Sequence, residues 1–129
     1  GPEGPGYLLT LRHDAFDVIP WSPGTSPAWR RLAVSLLHEG LLKPFVGITE
    51  EILLQKTHVD YTADAAEVVT LARKGNYQAG FLIPPTAPEE LHAVVRAGEL
   101  LPQKSTHFYP KLLDGLIFFR LGDDAEASG

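Results

Sequence analysis

The sequence predicts a single α+β domain, close to α/β in character, in which a mixed sheet of about four to five strands packs against about three helices. Short β-prone runs alternate with longer amphipathic segments, which is typical of strand and helix crossover units. A chain of 129 residues with 44% hydrophobic content is large enough to bury one core. An Asp-Gly pair at residues 114–115, between two apolar runs, predicts an antiparallel hairpin at the end of the chain.

The first predicted strand covers residues 7–12, where Leu9 and Leu11 alternate with polar side chains. This spacing of two would bury one face of the strand. Residues 1–6 form a leader rich in Gly and Pro that is not expected to join the fold. The Gly1 start and the absence of methionine predict that the sequence is one domain cut from a longer protein.

Ser26 and Pro27 predict the start of the first long helix, because serine caps helix N-termini and proline fits the first turn. Pro44 places the end of this helix near Lys43. A further short helical turn is expected at residues 50–55. Apolar residues recur at a spacing of three and four along the long helix and form a stripe that is expected to face the sheet, namely Trp29, Leu32, Ala33, Leu36, Leu37 and Leu41.

Two more helices are predicted by their ends. Asp64 with Glu67 resembles a capping box, and the helix that it opens is expected to stop at Gly75 in a left-handed conformation. Residues 86–89 form a second capping-box pattern with proline in the first turn, and this helix is expected to end near Gly98.

The remaining strands are predicted between and after these helices. Residues 57–61 form a short β-prone run, and residues 79–83 form a continuous apolar run that is typical of a central strand covered on both faces. Residues 108–112 and 116–121 are expected to pair as the final hairpin. Residues 122–129 form an acidic tail that is expected to be disordered, so the predicted domain spans residues 7–121.

The composition excludes several classes of function. Cysteine is absent, which removes disulfides, thiol nucleophiles and thiolate metal sites. A formal net charge of -5 argues against nucleic-acid binding, which depends on clustered Lys and Arg. The longest apolar runs are far shorter than the ~20 residues that a membrane helix needs. We therefore expect a cytoplasmic protein with no membrane partner, and the sequence identifies no cofactor and no metal site.

Residues 102–111 are the richest stretch in reactive groups and are the candidate ligand-binding segment. Two ammonium groups beside hydroxyls would form a local anion site for phosphate or carboxylate. The alternative stays open that the hydroxyls satisfy a turn, the aromatic residues anchor the segment and the lysines are solvated. The residues assigned to the predicted site are Lys104, Ser105, Thr106, His107 and Lys111.

His38 and Glu39 are candidates for an acid-base or metal pair. Adjacent residues on a helix face different directions, so the favoured interpretation is that both face solvent or make one structural hydrogen bond. A catalytic triad of Ser105, His107 and Asp114 is rejected, because neighbours along a strand alternate faces and no nucleophile elbow surrounds the serine. No catalytic residue is predicted.

Four stretches of this sequence resemble one known family: Leu36-Leu37-His38-Glu39, Gly80-Phe-Leu-Ile-Pro-Pro-Thr, Ala97-Gly98-Glu99 and Pro102-Gln-Lys-Ser-Thr-His-Phe-Tyr-Pro-Lys-Leu-Leu-Asp-Gly-Leu. They are similar to the C-terminal half of the bacterial and archaeal domain-of-unknown-function family 1015. The resemblance covers roughly residues 30–121. Longer members resemble ParB and sulfiredoxin-like proteins in their N-terminal half, through an Asp-Gly-His-His-Arg motif that this sequence lacks.

The resemblance implies an accessory domain that contributes a wall or clamp to binding of a nucleotide or phosphorylated metabolite. Such a fragment is not expected to be catalytic alone, and the missing N-terminal half is its expected partner. The alternative is a structural or interaction module that packs on that half or forms a homodimer, for which the apolar run at residues 116–119 is the supporting feature.

Overall fold

The computed structural model describes residues 6–55 and 58–102. Helices make up 51% of these residues, and no strand occurs among them. The predicted α+β fold with a mixed sheet is therefore wrong for this part of the chain, which is helical. The predicted hairpin at residues 108–112 and 116–121 and the predicted tail at residues 122–129 lie outside the described residues.

The helical elements of the described chain are short, and the longest have nine residues. None of them is long and apolar enough to cross a bilayer. In chain order they are a 3₁₀ helix (His13–Val18), α1 (Pro27–Arg30), α2 (Ala33–Leu37), a π helix (His38–Val46), α3 (Glu50–Gln55), α4 (Ala65–Arg73) and α5 (Pro88–Arg96). The prediction of a helical turn at residues 50–55 is confirmed by α3.

The predicted first strand, residues 7–12, is not a strand in the structure. Leu9 and Leu11 are both exposed, so the alternation of apolar and polar residues buries no face. A β-strand is stabilised by ladder hydrogen bonds to a neighbour, and this segment has no neighbouring strand in the described part of the chain. The same reason applies to residues 58–61 of the predicted second strand, which are irregular.

The predicted long helix begins where expected but is divided into three elements. Ser26 caps α1, and its hydroxyl accepts a hydrogen bond from the Trp29 amide at 3.1 Å. Leu32 then takes an extended conformation (φ -60°, ψ 136°), which separates α1 from α2. The helical path continues past Lys43, the predicted end, and the π helix stops at Gly47, whose φ of 77° is left-handed.

The hydrophobic core of the described chain is small and lies where α1 and α2 meet α5. Extended backbone at Leu32 directs this side chain inward, so that it is fully buried between helices. The helix α1 packs against both α2 and α5. The buried residues of the cluster are Leu32, Val34 and Val94, and Ala28, Trp29 and Leu101 pack around them.

The helix α4 has the ends that the sequence predicts. The Asp64 carboxylate accepts hydrogen bonds from the amides of Ala66 at 2.8 Å and Glu67 at 3.3 Å. Gly75 follows the helix with a left-handed φ of 76°. Glu67 does not close the predicted capping box, since its carboxylate accepts from the Thr62 hydroxyl.

The apolar segment 79–83 has no regular secondary structure and is not a central strand. It lies against α4 at Gly80, where an added Cβ would be 2.7 Å from Cγ1 of Val68. The side chains of Phe81, Leu82 and Ile83 are exposed. The prediction that both faces are covered is therefore wrong, because these side chains are exposed and no strand of residues 6–55 or 58–102 pairs with the segment.

The helix α5 begins at Pro88, as the proline in the capping pattern predicts. The N-cap is Ala87, one residue later than the first residue of the predicted pattern at 86–89. The Glu90 carboxylate accepts a hydrogen bond from the Ala87 amide at 2.8 Å. Gly98 has a left-handed φ of 74° just after the helix, which confirms the predicted end. The chain then passes the core at Leu101.

Candidate functional site

A cavity of about 320 Å³ opens between the π helix, α3 and the segment that follows α5. Its volume lies within the ~300–1,000 Å³ that small-molecule sites usually have. Most of its wall is apolar and is formed by Trp29, Ile48, Leu53, Leu54, Leu100 and Leu101. Its polar groups belong to Ser35, His38, Glu39, Lys43, Glu50 and Tyr61.

The π helix carries His38, Glu39 and Lys43 to this cavity. Hydrogen bonds in a π helix join residues five apart, so the turn is wider and successive residues rotate less about the axis than in an α-helix. His38 and Glu39, although adjacent in the sequence, both line this cavity. Pro44 favours the wide turn, because it has no N–H and its ring clashes with the carbonyl four residues earlier in a regular α-helix.

Glu39 is buried, with 3% of its surface exposed. Of the two roles that the sequence left open for it, the solvent-facing one is therefore wrong, and a structural bonding role is what the contacts show. The Ser22 hydroxyl lies 3.1 Å from both carboxylate oxygens and donates to them. The Lys43 ammonium donates to the same oxygens at 3.2 and 3.3 Å and to Ser22 Oγ at 3.1 Å. The three side chains form a closed polar triangle that ties the loop before α1 to the π helix and satisfies the buried charge.

Ser35 brings a buried hydroxyl to the cavity wall that has no hydrogen-bond partner among the described residues. Its side chain is 0% exposed, and its hydroxyl makes no hydrogen bond to any described residue. Buried polar groups are nearly always hydrogen-bonded, and an unsatisfied one costs about 1–3 kcal/mol. Ser35 also lines the cavity, so a shift of neighbouring side chains that exposes this hydroxyl would let it bond a bound molecule.

His38 and Tyr61 add uncharged polar groups to the cavity. Burial lowers the pKa of His38 below its ordinary value, although the adjacent Glu39 carboxylate opposes this effect. Burial also raises the pKa of the Tyr61 hydroxyl. At neutral pH the imidazole therefore offers one donor and one acceptor, and the phenol keeps its proton.

The charged groups of the cavity wall do not balance. Among the described wall residues, Glu39 and Glu50 contribute two carboxylates and Lys43 contributes one ammonium, which leaves one excess negative charge when His38 is neutral. In the part of the chain that the structure describes, no cluster of three acidic or histidine side chains is arranged to hold a metal ion.

The predicted ligand-binding residues Lys104, Ser105, Thr106, His107 and Lys111 lie outside the described residues. The structure does place Pro102, the first residue of that segment, in the wall of the cavity.

Sequence reasoning missed Ser22, Ser35, Lys43 and Tyr61. The spacing of four between Glu39 and Lys43 is a signal that could have identified the ion pair. Ser35 carries no comparable signal, because a serine beside an apolar stripe is typical of any helix boundary between core and solvent.

Comparison with known proteins adds no relative: the chain matches no protein-family model, no curated protein and no solved structure. The resemblance to domain-of-unknown-function family 1015 therefore rests on the four sequence stretches and stays a prediction.

Proposed function

We propose that this protein binds a nucleotide or another phosphorylated small molecule, whose organic part occupies the cavity. The observation that carries the proposal is the buried, unpaired hydroxyl of Ser35 in the cavity wall. The phosphate is assigned to the segment that follows the cavity, where the residues proposed to bind it are Lys104, Ser105, Thr106, His107 and Lys111.

The wall of the cavity suits a flat heterocycle such as a nucleobase. Trp29 supplies an aromatic side chain, and leucines from α3 and from residues 100–101 supply further apolar surface. Aromatic and apolar side chains hold a ring by its faces, with stacking worth about 1–3 kcal/mol per base. Ser35 and His38 supply hydrogen-bonding groups for the polar edge of such a ring.

The phosphate is proposed to bind outside the cavity because the cavity wall carries excess negative charge. Lys104 follows the wall residue Pro102 by two positions in the sequence, and Lys111 follows seven positions later. Ammonium groups with neighbouring hydroxyls are suited to neutralise and hydrogen-bond a phosphate. The proposal includes a cytoplasmic location and an accessory role beside an N-terminal half, with no catalysis by this chain alone.

Thermal unfolding with a nucleoside and its 5′-monophosphate tests the proposal in the full 129-residue chain. A ligand at ~100 times its dissociation constant stabilises the folded state by about 2.7 kcal/mol. We expect the monophosphate to raise the midpoint more than the nucleoside. Lys104→Ala should reduce the effect of the monophosphate to that of the nucleoside.

Two tryptophan variants separate the cavity from the rest of the surface. Leu54 and Leu82 are both exposed, at 64% and 60%, but Leu54 lines the cavity and Leu82 does not. Leu54→Trp should fill the mouth of the cavity and abolish both thermal shifts, and Leu82→Trp should preserve them. Equal shifts in both variants, or no shift with any nucleotide, would disprove the proposal.

A second candidate function is a protein-interaction module. The observation in its favour is the run of exposed apolar side chains Phe81, Leu82 and Ile83, which follows the contact of Gly80 with α4. A homodimer or the N-terminal half of a longer parent would be the partner. Analytical ultracentrifugation tests this function. A dimer that dissociates in the Leu82→Asp variant would support an interface at this segment. A monomer that does not bind the N-terminal half would argue against a protein-interaction function.

A further inference from the structure

We infer that the cavity itself selects an uncharged or cationic nitrogen-containing ring and rejects anionic groups. The inference rests on the proposed function, because it defines the chemical class of the group held by the same cavity. It follows from three features of the described part of the wall. The three N–H donors of Lys43 are all used in internal hydrogen bonds, the carboxylate of Glu50 is unpaired there, and the remaining polar groups, those of Ser35, His38 and Tyr61, are neutral.

Lys43 is the ammonium group in the described wall of the cavity. An ammonium has three N–H donors, and Lys43 has three acceptors within reach, namely both oxygens of Glu39 and the Ser22 hydroxyl. An anion entering the cavity would have to compete with the buried Glu39 carboxylate for these donors. Lys43 is therefore committed to internal bonds and does not neutralise a ligand.

Glu50 supplies the charge that a ligand meets at the cavity wall. It lies in the first turn of α3, is exposed, and forms no ion pair with any residue in 6–55 or 58–102. Among the described wall residues, no cation is left to compensate this charge for a carboxylate or phosphate inside the cavity. An amidinium or ammonium group would be attracted by it.

The neutral groups match the edge of a nitrogen-containing ring or an amide. The Ser35 hydroxyl donates one hydrogen bond and accepts others, and neutral His38 presents one donor and one acceptor. Tyr61 adds a protonated phenol. Neighbouring N–H and C=O or ring-nitrogen groups satisfy such a set without bringing a negative charge into the cavity.

Three probes of nearly equal size and shape test the inference: benzamidine, which is cationic, benzamide, which is neutral, and benzoate, which is anionic. Binding to the isotope-labelled 129-residue chain is followed by NMR titration. We expect benzamidine and benzamide to shift the resonances of cavity residues and benzoate to bind at least about tenfold more weakly than benzamidine.

The variant Glu50→Gln should remove the advantage of benzamidine over benzamide and leave the affinity for benzamide unchanged. Glu89→Gln is the matched control, since Glu89 is an exposed carboxylate in the first turn of α5 and does not line the cavity. It should change neither affinity. An unchanged order of affinities in Glu50→Gln would overturn the assignment of the charge selection to Glu50.

The outcomes for this inference and for the proposed function are distinct. If benzoate binds as tightly as benzamidine and Leu54→Trp blocks all three probes, the cavity binds ligands but the charge selection is wrong. If nucleotides bind at the cavity and none of the three probes does, the inference is also overturned. If neither nucleotides nor probes bind, the proposed function itself fails.

Discussion

Glu39 and Lys43 form an ion pair whose two members are buried to very different extents. Lys43 Nζ lies 3.2 Å from Oε1 of Glu39, and the two side chains are 35% and 4% exposed. Removing the ammonium would leave a buried carboxylate without a cation, whereas removing the carboxylate's charge would leave an ammonium that reaches water. The two substitutions should therefore differ in cost.

We predict that Lys43→Met lowers the free energy of unfolding by about 2–3 kcal/mol and Glu39→Gln by about 1 kcal/mol. Methionine keeps an apolar stem of similar length, and glutamine keeps an acceptor for Ser22. Urea denaturation measures both changes in the free energy of unfolding, and we expect the m-values of the two variants to equal that of the unsubstituted protein.

The exposed pair of Arg12 and Asp14 is the control for this prediction, because both side chains are mostly in solvent. Arg12→Met should change the free energy of unfolding by less than about 0.5 kcal/mol. Equal losses for Lys43→Met and Glu39→Gln would contradict the interpretation that unequal burial decides the cost.

Ser35→Ala is predicted to stabilise the unliganded protein by about 1 kcal/mol, because it removes a buried hydroxyl that has no partner. The same variant should weaken ligand binding, since the hydroxyl is proposed to bond the ligand. Ser22→Ala is the matched substitution at a bonded hydroxyl and should destabilise by about 1 kcal/mol. Thermal unfolding with and without nucleotide measures both effects, and destabilisation of the unliganded Ser35→Ala protein would refute the argument.

Gly80→Ala is predicted to destabilise by about 1–3 kcal/mol through overpacking. Its Cβ would lie 2.7 Å from Cγ1 of Val68, and a valine in a helix has one strongly preferred χ1 rotamer that limits its adjustment. Gly6→Ala, where a Cβ meets no atom within 4 Å, is the control for a change from glycine to alanine.

A double-mutant cycle tests the contact between Gly80 and Val68 directly. In the Val68→Ala background the cost of Gly80→Ala should largely disappear, which would give a favourable coupling energy. Additive costs would show that the segment at residues 79–83 does not pack on α4 as described.

The features that the sequence predicted correctly are local ones. Ser26, Asp64 and Gly75 act on backbone groups within a few residues, so their roles follow from the chain itself. The fold class depended on whether apolar runs such as residues 79–83 find strand partners, and an apolar run carries no information about its neighbours.

The candidate site was beyond sequence reasoning for a related reason. Glu39 was left between solvent and a structural hydrogen bond, because its burial depends on Ser22 and Lys43 packing around it and not on its own helical position. The contact with Ser22 joins residues seventeen positions apart across a loop and could not be anticipated from spacing.

The stability of the protein is predicted to fall as pH is lowered through the ordinary His38 pKa of 6.5. Burial holds the pKa of folded His38 below this value, while the unfolded chain titrates near it. Between the two values the unfolded state binds more protons, so the free energy of unfolding rises with pH in this window and levels off above 6.5.

Urea denaturation between about pH 5 and about pH 8 measures this dependence on His38. His38→Gln should flatten the profile around pH 6.5, because glutamine does not titrate. His92→Gln is the control, since His92 is an exposed residue of α5 outside the cavity. A profile that keeps its slope in His38→Gln and loses it in His92→Gln would show that His38 is not the buried neutral imidazole of this site.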